Sequence, residues 1–120
     1  MPHLTVEYTK NLTSLNANAL LLKLNQALTA AGNFEDIDIK SRAIALDHYL
    51  VGTSAGDKAF IHVKLSILSG RTSHVKQALS NSLLQVLSDT TIAQQNMHIQ
   101  LCVEILEIDR ETYTKAILAH

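Results

Sequence analysis

Three segments of the chain alternate between apolar and polar residues, as a strand does when only one of its faces is buried. They are His3–Thr9, Ala59–Leu68 and His98–Ile105. In each segment one side is mainly aliphatic, while the other carries mostly polar residues such as histidine, threonine, lysine and glutamate. The alternation predicts three strands that pack their aliphatic side against a core and leave their polar side uncovered.

Two other segments repeat apolar residues with the period of an amphipathic helix. The first is expected to end at Gly32-Asn33, and the second to begin after Ser69-Gly70-Arg71 with Thr72 or Ser73 as its N-cap. The predicted apolar faces are Leu20, Leu24, Ala27, Leu28 and Ala31 in the first helix, and Val75, Leu79, Leu83, Val86 and Leu87 in the second.

A fourth strand is predicted between the first helix and the middle of the chain. Ile37–Leu46 is rich in β-branched residues, but Lys40, Ser41 and Arg42 interrupt its pattern with polar residues that a plain strand would not need. The following segment, Asp47–Asp57, contains several glycine and serine residues and is predicted to be a connection rich in turns.

The predicted elements follow the order β-α-β twice. This order indicates an α+β fold in a single domain, residues 1–120, with an internal repeat whose halves are about 1–57 and 58–120. Each helix would cross over so that the strands of its half are parallel, and both helices would cover one face of a four-stranded sheet. The other face would be polar and the sheet edges open, which favours self-association.

Composition excludes several classes of function. The net charge of −1 provides no positive surface for nucleic acid or an anionic membrane, and we predict neither as a partner. The single Cys102 cannot form a disulfide within the chain, and no signal peptide or membrane-spanning run is present. We therefore expect a cytoplasmic protein of about one domain, large enough to bury a core without metal or disulfide crosslinks.

The first two residues, Met1-Pro2, are a candidate for chemistry. A proline within the chain has no basic nitrogen, whereas removal of Met1 would give Pro2 a free secondary amine. An α-amino group has a pKa of about 8, and nearby cations lower it. Pro2 could then act as a general base, although many proteins begin with Met-Pro without such a role.

Two arginines are candidates for binding an anionic ligand. Arg42 lies inside a predicted strand, and Arg71 follows Gly70 at a junction between a strand and a helix, where backbone N–H groups also favour anions. A guanidinium group matches a carboxylate in a bidentate way, so the pair suggests a dicarboxylate ligand. Surface or ion-paired arginines are the commoner alternative, and Arg110, after Asp109, is predicted to be an ordinary turn residue.

Other reactive residues give weaker signals. The chain has six histidines, but none has the spacing of metal ligands, and we predict no metal site. Cys102 is predicted to be a packed thiol and not a nucleophile. No Ser-His-Asp arrangement, phosphate-binding loop or dinucleotide fingerprint is present.

Several motifs together resemble a known family. They are Met1-Pro2-His3-Leu4-x-Val6-Glu7-Tyr8, Ser41-Arg42-Ala43, Ala59-Phe60-Ile61-His62-Val63 and Gly70-Arg71. In order and spacing the chain resembles the 5-carboxymethyl-2-hydroxymuconate isomerases of the tautomerase superfamily over nearly its whole length. The second half alone, with Gly70-Arg71-Thr72-x-x-x-Lys76, is similar to a protomer of the short 4-oxalocrotonate tautomerases.

The resemblance implies a function without a cofactor. Members of this family are fused β-α-β repeats that form trimers, with their polar sheet faces around a central barrel. The resemblance implies that Pro2 is the base after loss of Met1, and that Arg42 and Arg71 bind the carboxylates of a 2-hydroxymuconate-type dienol in a site shared between subunits. The reaction would give the unsaturated ketone, as in aromatic catabolism.

Two alternatives remain open at the level of sequence. The chain could be a tautomerase for another enol, such as a phenylpyruvate-like compound. It could also be a non-catalytic, ferredoxin-like module that binds a small ligand, because such modules share the β-α-β-β-α-β order. The segment Tyr113–Leu118 replaces an asparagine-rich stretch of the family, and the chain lacks the extra basic residues expected for a tricarboxylate.

Overall fold

The computed structural model describes residues 1–91 and 96–119, which form an α+β fold. The elements are β1 (His3–Thr9), α1 (Ala17–Ala30), a short 3-10 turn (Asp36–Asp38), β2 (Lys40–Leu46), β3 (Lys58–Leu68), α2 (Ser73–Thr91) and β4 (His98–Ile108). The predicted order of two successive β-α-β units is confirmed.

The four strands form one sheet in the order β2-β1-β3-β4. Strands β1 and β2 are parallel, as are β3 and β4, so each helix crosses over within its own unit as predicted. The two units meet where β1 pairs with β3 in antiparallel fashion, with His3 opposite Ser66 and Tyr8 opposite Ile61. The beginnings of β1 and β3 therefore lie at opposite ends of the sheet.

The core lies between the helices and one face of the sheet. Leucines spaced three or four residues apart on each helix are buried against the aliphatic side of the central strands. These core residues are Leu20, Leu24 and Leu28 on α1, Leu79, Leu83 and Leu87 on α2, Leu4 and Val6 on β1, and Ile61, Val63, Leu65 and Ile67 on β3. Ala31, predicted to continue the first apolar face, lies just beyond α1 and is exposed.

Strand β2 begins three residues later than predicted. The N–H of Asp38 donates to the carbonyl of Glu35 (3.1 Å) and that of Ile39 to Asp36 (3.2 Å), which closes a 3-10 turn. Ile37 is consequently 88% exposed and not part of a strand. The pattern of the segment was ambiguous because β2 is an edge strand, where burial does not impose a strict alternation.

The face of the sheet away from the helices is uncovered and mostly polar, as predicted. Across it His62 lies 2.9 Å from Glu104, and Lys64 lies 3.8 Å from Glu7. The prediction for Cys102 was wrong, because its thiol is exposed on this face and not packed. Strand β4 is the other edge of the sheet and has no neighbour beyond it that could bury Cys102.

Neither helix, within the residues described above, combines the length and apolar character needed to span a bilayer.

Candidate active site

The topology brings four strand ends together at one end of the sheet. His3, at the start of β1, pairs with Lys40 at the start of β2 and lies opposite Ser66 near the end of β3. Leu68 at the end of β3 pairs with Ile108 at the end of β4. The chain start, the loop after β3 and the segment after β4 therefore meet although they are distant in sequence.

A cavity of about 280 Å³ lies at this end of the sheet. It joins the chain start to the loop between α1 and β2 and to the segments that follow β3 and β4. Its lining residues are Met1, Asn33, Phe34, Glu35, Asp38, Leu68, Arg71 and Arg110. Arg71, which was predicted from the sequence, thus shares one cavity with Met1 at the start of the chain.

The chain start is held in place by backbone hydrogen bonds. The Met1 α-amino group donates to the carbonyl oxygen of Asp38 (3.0 Å), and the N–H of Lys40 donates to the carbonyl oxygen of Pro2 (3.1 Å). Pro2 itself is buried. The side-chain ammonium of Lys40 donates to the same Asp38 carbonyl as Met1, so this cation lies beside the terminal amine.

This environment disfavours a positive charge on the terminal amine. Partial burial, followed by the hydrogen-bonding and charge effects of Lys40, lowers the pKa of the Met1 amino group to about 5. Lys115 acts in the same direction, and only the Asp38 carboxylate opposes them. An amine at this end of the sheet is therefore neutral, and able to accept a proton, at neutral pH.

Arg71 lies at the junction of β3 and α2, as the sequence predicted. Gly70 before it has φ +118°, a conformation that a residue with a side chain rarely adopts, and this sharp turn directs the chain from the strand into the helix. The guanidinium carbon of Arg71 lies 4.8 Å from the centre of the Phe34 ring, and Nη2 donates to the Asn33 carbonyl (3.3 Å). Stacking and one hydrogen bond leave other N–H groups available to a ligand.

Thr72 caps the helix that follows. Its hydroxyl oxygen accepts a hydrogen bond from the N–H of Val75 (3.2 Å), which decides between the two predicted caps, Thr72 and Ser73.

Arg42 lies outside this cavity. It is exposed on edge strand β2, where Nη2 lies 3.2 Å from Nδ1 of His3 and Nη1 lies 3.5 Å from the hydroxyl of Thr5. The structure thus brings Arg71 to the chain start but places Arg42 on the uncovered face of the sheet. Arg71 lines the cavity at the chain start, and Arg42 is not among the residues that line it.

Arg110 lies in a turn after Asp109, as predicted, but its side chain also contacts the loop after β3. Its N–H donates to the hydroxyl of Ser69 (3.3 Å) and its Nε donates to the carbonyl of Ser69 (3.1 Å). These bonds hold its guanidinium over the Gly70 turn and beside the cavity that Arg71 also lines. The sequence signal was weak because only the pairing of β3 with β4 brings Arg110 to Ser69.

The segment after β4 also contacts the chain start. The Tyr113 hydroxyl lies 3.0 Å from Nε2 of His3, and the Lys115 ammonium lies 2.8 Å from the Asp38 carboxylate. Burial, and then the cations led by Arg42, lower the pKa of His3. Sequence reasoning identified this segment as divergent but did not identify Lys40 or Lys115 as neighbours of the terminal amine.

Acidification is expected to destabilise the chain that retains Met1. Folding lowers the pKa of both the Met1 amine and His3 from their values in the unfolded chain, about 8 and 6.5. When the pH is below those values, the unfolded chain therefore binds protons that the folded chain does not bind. The Asp38 carboxyl, whose pKa is lowered mainly by its hydrogen bond from Lys115, adds to this trend below about pH 4. We expect the free energy of unfolding to fall as the pH decreases from about 8 to about 5, measurable as a lower Tm.

A matched pair of variants separates this cluster from general acid effects. Lys40→Gln removes a cation that lowers both pKa values, and it is expected to reduce the dependence of Tm on pH. Lys10→Gln is the control, because Lys10 pairs with Asp47 (3.1 Å) beyond the other end of β1. Identical Tm values at pH 8 and pH 5 in the unmodified chain would contradict this interpretation.

A larger cavity, of about 430 Å³, lies at the opposite end of the sheet. The second β-α-β unit begins there with Lys58, which is peptide-bonded and provides no terminal amine. Neither Arg42, Arg71 nor Arg110 lines this cavity. The candidate chemistry is therefore confined to the end of the sheet where the chain starts. Among the residues described, no three histidine, cysteine, aspartate or glutamate side chains are grouped to bind a metal.

Comparison with known proteins supports the sequence resemblance. The family model of 5-carboxymethyl-2-hydroxymuconate isomerase matches residues 2–120. A 5-carboxymethyl-2-hydroxymuconate Delta-isomerase of Escherichia coli is 30% identical over 88 residues, which are 72% of this chain and 70% of that protein.

Solved structures agree with this assignment. The crystal structure of a 5-carboxymethyl-2-hydroxymuconate isomerase from Deinococcus radiodurans R1 matches with a TM-score of 0.90 and 36% identity, covering 96% of this chain and 88% of that one. A wild-type fused 4-OT, solved as a symmetric trimer, shares the fold with a TM-score of 0.71 and 19% identity, covering 95% of this chain and 91% of that one. The chain therefore belongs to the 5-carboxymethyl-2-hydroxymuconate isomerase family and is an isomerase.

Proposed function

We propose that this isomerase converts a 2-hydroxymuconate-type dienol carrying at least two carboxylates into the unsaturated ketone, without a cofactor. The names of its relatives, 5-carboxymethyl-2-hydroxymuconate isomerases, support this class of substrate. Pro2 is the general base once Met1 has been removed. The observation that carries the proposal is the cavity shared by the chain start and Arg71, in which the terminal amine has a strongly lowered pKa.

As the first residue, Pro2 would place its amine one residue inward from the Met1 amine, at the same end of the sheet. Pro2 is buried one peptide bond inward, and the backbone N–H of Lys40 donates to its carbonyl oxygen. The side-chain ammonium of the same Lys40 lowers the pKa of the Met1 amine. A secondary amine there would be neutral near pH 7, which suits a general base. With Met1 in place the Pro2 nitrogen is an amide and has no useful basicity.

The proton balance of the reaction is simple. The Pro2 nitrogen takes the proton from the enol hydroxyl of the substrate, and the electron pair moves through the conjugated system to a distant carbon. The protonated amine then returns the proton to that carbon, leaving a ketone in place of the enol. Fixing amine and substrate in one cavity removes the entropic cost of bringing them together.

Cations around the cavity bind the substrate and stabilise the negative charge that spreads along it. Arg71 faces the cavity and offers N–H groups beyond the one that it donates to Asn33. Lys40 lies beside the amine and is a second candidate for a carboxylate contact. The charge of Lys40 also lowers the pKa of the terminal amine, which keeps that amine neutral before the substrate arrives.

Arg42 fits this proposal only as a residue that serves a neighbouring subunit. It is exposed on an edge strand and does not line the cavity of its own chain. The fused 4-OT of the same fold is a symmetric trimer, which supports a homotrimer with the polar sheet faces around a central barrel. In such an assembly Arg42 of one copy would complete the site of the next.

The test is ultraviolet monitoring of 2-hydroxymuconate decay with protein whose mass confirms that Met1 is absent. We expect rapid conversion by the unmodified chain and slower conversion by Pro2→Ala, Arg42→Ala and Arg71→Ala. Equal rates for all four proteins would contradict the proposal. Size measurements on the same samples establish whether a slow variant has also lost its assembly.

A further inference from the structure

Arg110 has a fixed position but uncommitted donor groups. Its Nε and its backbone N–H both bond to Ser69, which holds the side chain next to the Gly70 turn. Nη2 lies 3.8 Å from the position that a Cβ on Gly70 would occupy, so the guanidinium is close to the backbone that leads into Arg71. Within the described residues, neither terminal nitrogen of Arg110 donates a hydrogen bond or forms an ion pair.

Arg71 and Arg110 line the same cavity and come from different strand ends. The cavity also contains two carboxylates, but that of Asp38 is paired with Lys115 at 2.8 Å. Glu35 is the remaining acidic group at its edge. Two guanidinium groups next to one unpaired carboxylate leave the cavity with an excess of one positive charge, which favours binding of a substrate carboxylate there.

We infer that Arg110 is a specificity-determining residue that, together with Arg71, binds a carboxylate of the substrate remote from the reacting enol. The inference rests on the proposed function for the identity of the substrate. Arg110 is then a further basic residue of the substrate site, in addition to the two arginines predicted from the sequence. A planar guanidinium held at Nε presents its two terminal nitrogens in the geometry that a carboxylate accepts.

Equilibrium binding tests the inference independently of turnover. The probes are muconate, a six-carbon diene with two carboxylates, and sorbate, a six-carbon diene with one, titrated calorimetrically into Met1-free protein. Arg110→Gln is expected to weaken muconate binding by about 10- to 100-fold, the usual effect of one charge-assisted contact, and to change sorbate binding by less than about 3-fold. Arg110→Lys should recover part of the loss.

Two further outcomes separate a binding role from a structural one. Glu35→Gln removes the unpaired negative charge and is expected to tighten muconate binding. Equal weakening of both probes by Arg110→Gln would show that Arg110 only supports the loop and would overturn the inference, as would unchanged muconate binding or a failure of the unmodified protein to bind muconate. Loss of the proposed function would instead appear as normal muconate binding without conversion of the dienol.

Discussion

Retention of Met1 is expected to lower kcat for dienol isomerisation by about 10²- to 10⁴-fold, the usual contribution of a positioned general base. In the Met1-bearing chain the Pro2 nitrogen is an amide, and the terminal amine is that of Met1, which is bonded to the Asp38 carbonyl. That amine is displaced by one residue from the proposed position of the base, and a displacement of this size is costly in catalysis.

The cleanest comparison uses one preparation before and after digestion with methionine aminopeptidase, with intact mass establishing the fraction of free Pro2. Turnover should rise in proportion to that fraction. A Met1-bearing sample as active as the digested one would show that Pro2 is not the base. Binding of muconate to both forms indicates whether Met1 acts by occupying the cavity that it lines.

Arg71→Ala is expected to lower kcat/KM by about 30- to 1,000-fold, which corresponds to about 2 to 4 kcal/mol of lost transition-state stabilisation. Arg71 is the arginine from the sequence prediction that shares the cavity with the chain start. Its removal takes away the proposed carboxylate contact and one positive charge of the cavity. Steady-state kinetics with 2-hydroxymuconate measures the loss.

Two variants show whether the loss of kcat/KM comes from the position of Arg71 in the cavity. Arg71→Lys keeps the charge but loses the planar fork, so its kcat/KM should lie between those of the unmodified chain and Arg71→Ala. Lys76→Ala is the matched control, because Lys76 lies nearby on α2 but pairs with Glu107 (3.5 Å). Since Arg71 also stacks on Phe34, Tm must be measured for each protein, and a loss explained by unfolding would count against the role in binding.

Local pattern was enough to predict most of the fold. The start and end of β1 were predicted correctly because burial of one face imposes a strict alternation on a central strand. The same reasoning failed at the start of β2, where an edge strand and the preceding 3-10 turn leave Ile37 exposed. The predicted repeat gave the correct pairing within each unit but could not give the antiparallel contact of β1 with β3.

The candidate site was less accessible to sequence reasoning because it is assembled from four strand ends. Arg71 could be predicted from its local context, a glycine turn before a helix. In the sequence, Lys40 only interrupts a predicted strand and Arg110 only follows an aspartate. Their positions near the cavity depend on the contact of Lys40 with Asp38 and of Arg110 with Ser69. Such contacts follow from strand pairing and not from spacing along the chain.

The structure and the comparisons do not support the alternative functions from the sequence equally. Membership of an isomerase family excludes the non-catalytic ferredoxin-like module, although the two share an order of elements. The choice between a muconate-type dienol and a phenylpyruvate-like enol is left to experiment, and the binding of muconate and sorbate measures whether Arg71 and Arg110 favour a second carboxylate. A cytoplasmic location remains a prediction.

The central claim is that Pro2 provides a neutral amine in this cavity at working pH. The most direct measurement is an NMR titration of the Pro2 nitrogen in Met1-free protein labelled with ¹⁵N-proline; Pro2 is the only proline of the chain. We predict a pKa well below the ordinary value of about 8, an acidic limb of kcat/KM at the same pH, and an upward shift of both in Lys40→Gln. An amine that titrates at its ordinary value, or a rate profile that does not follow its titration, would contradict the claim.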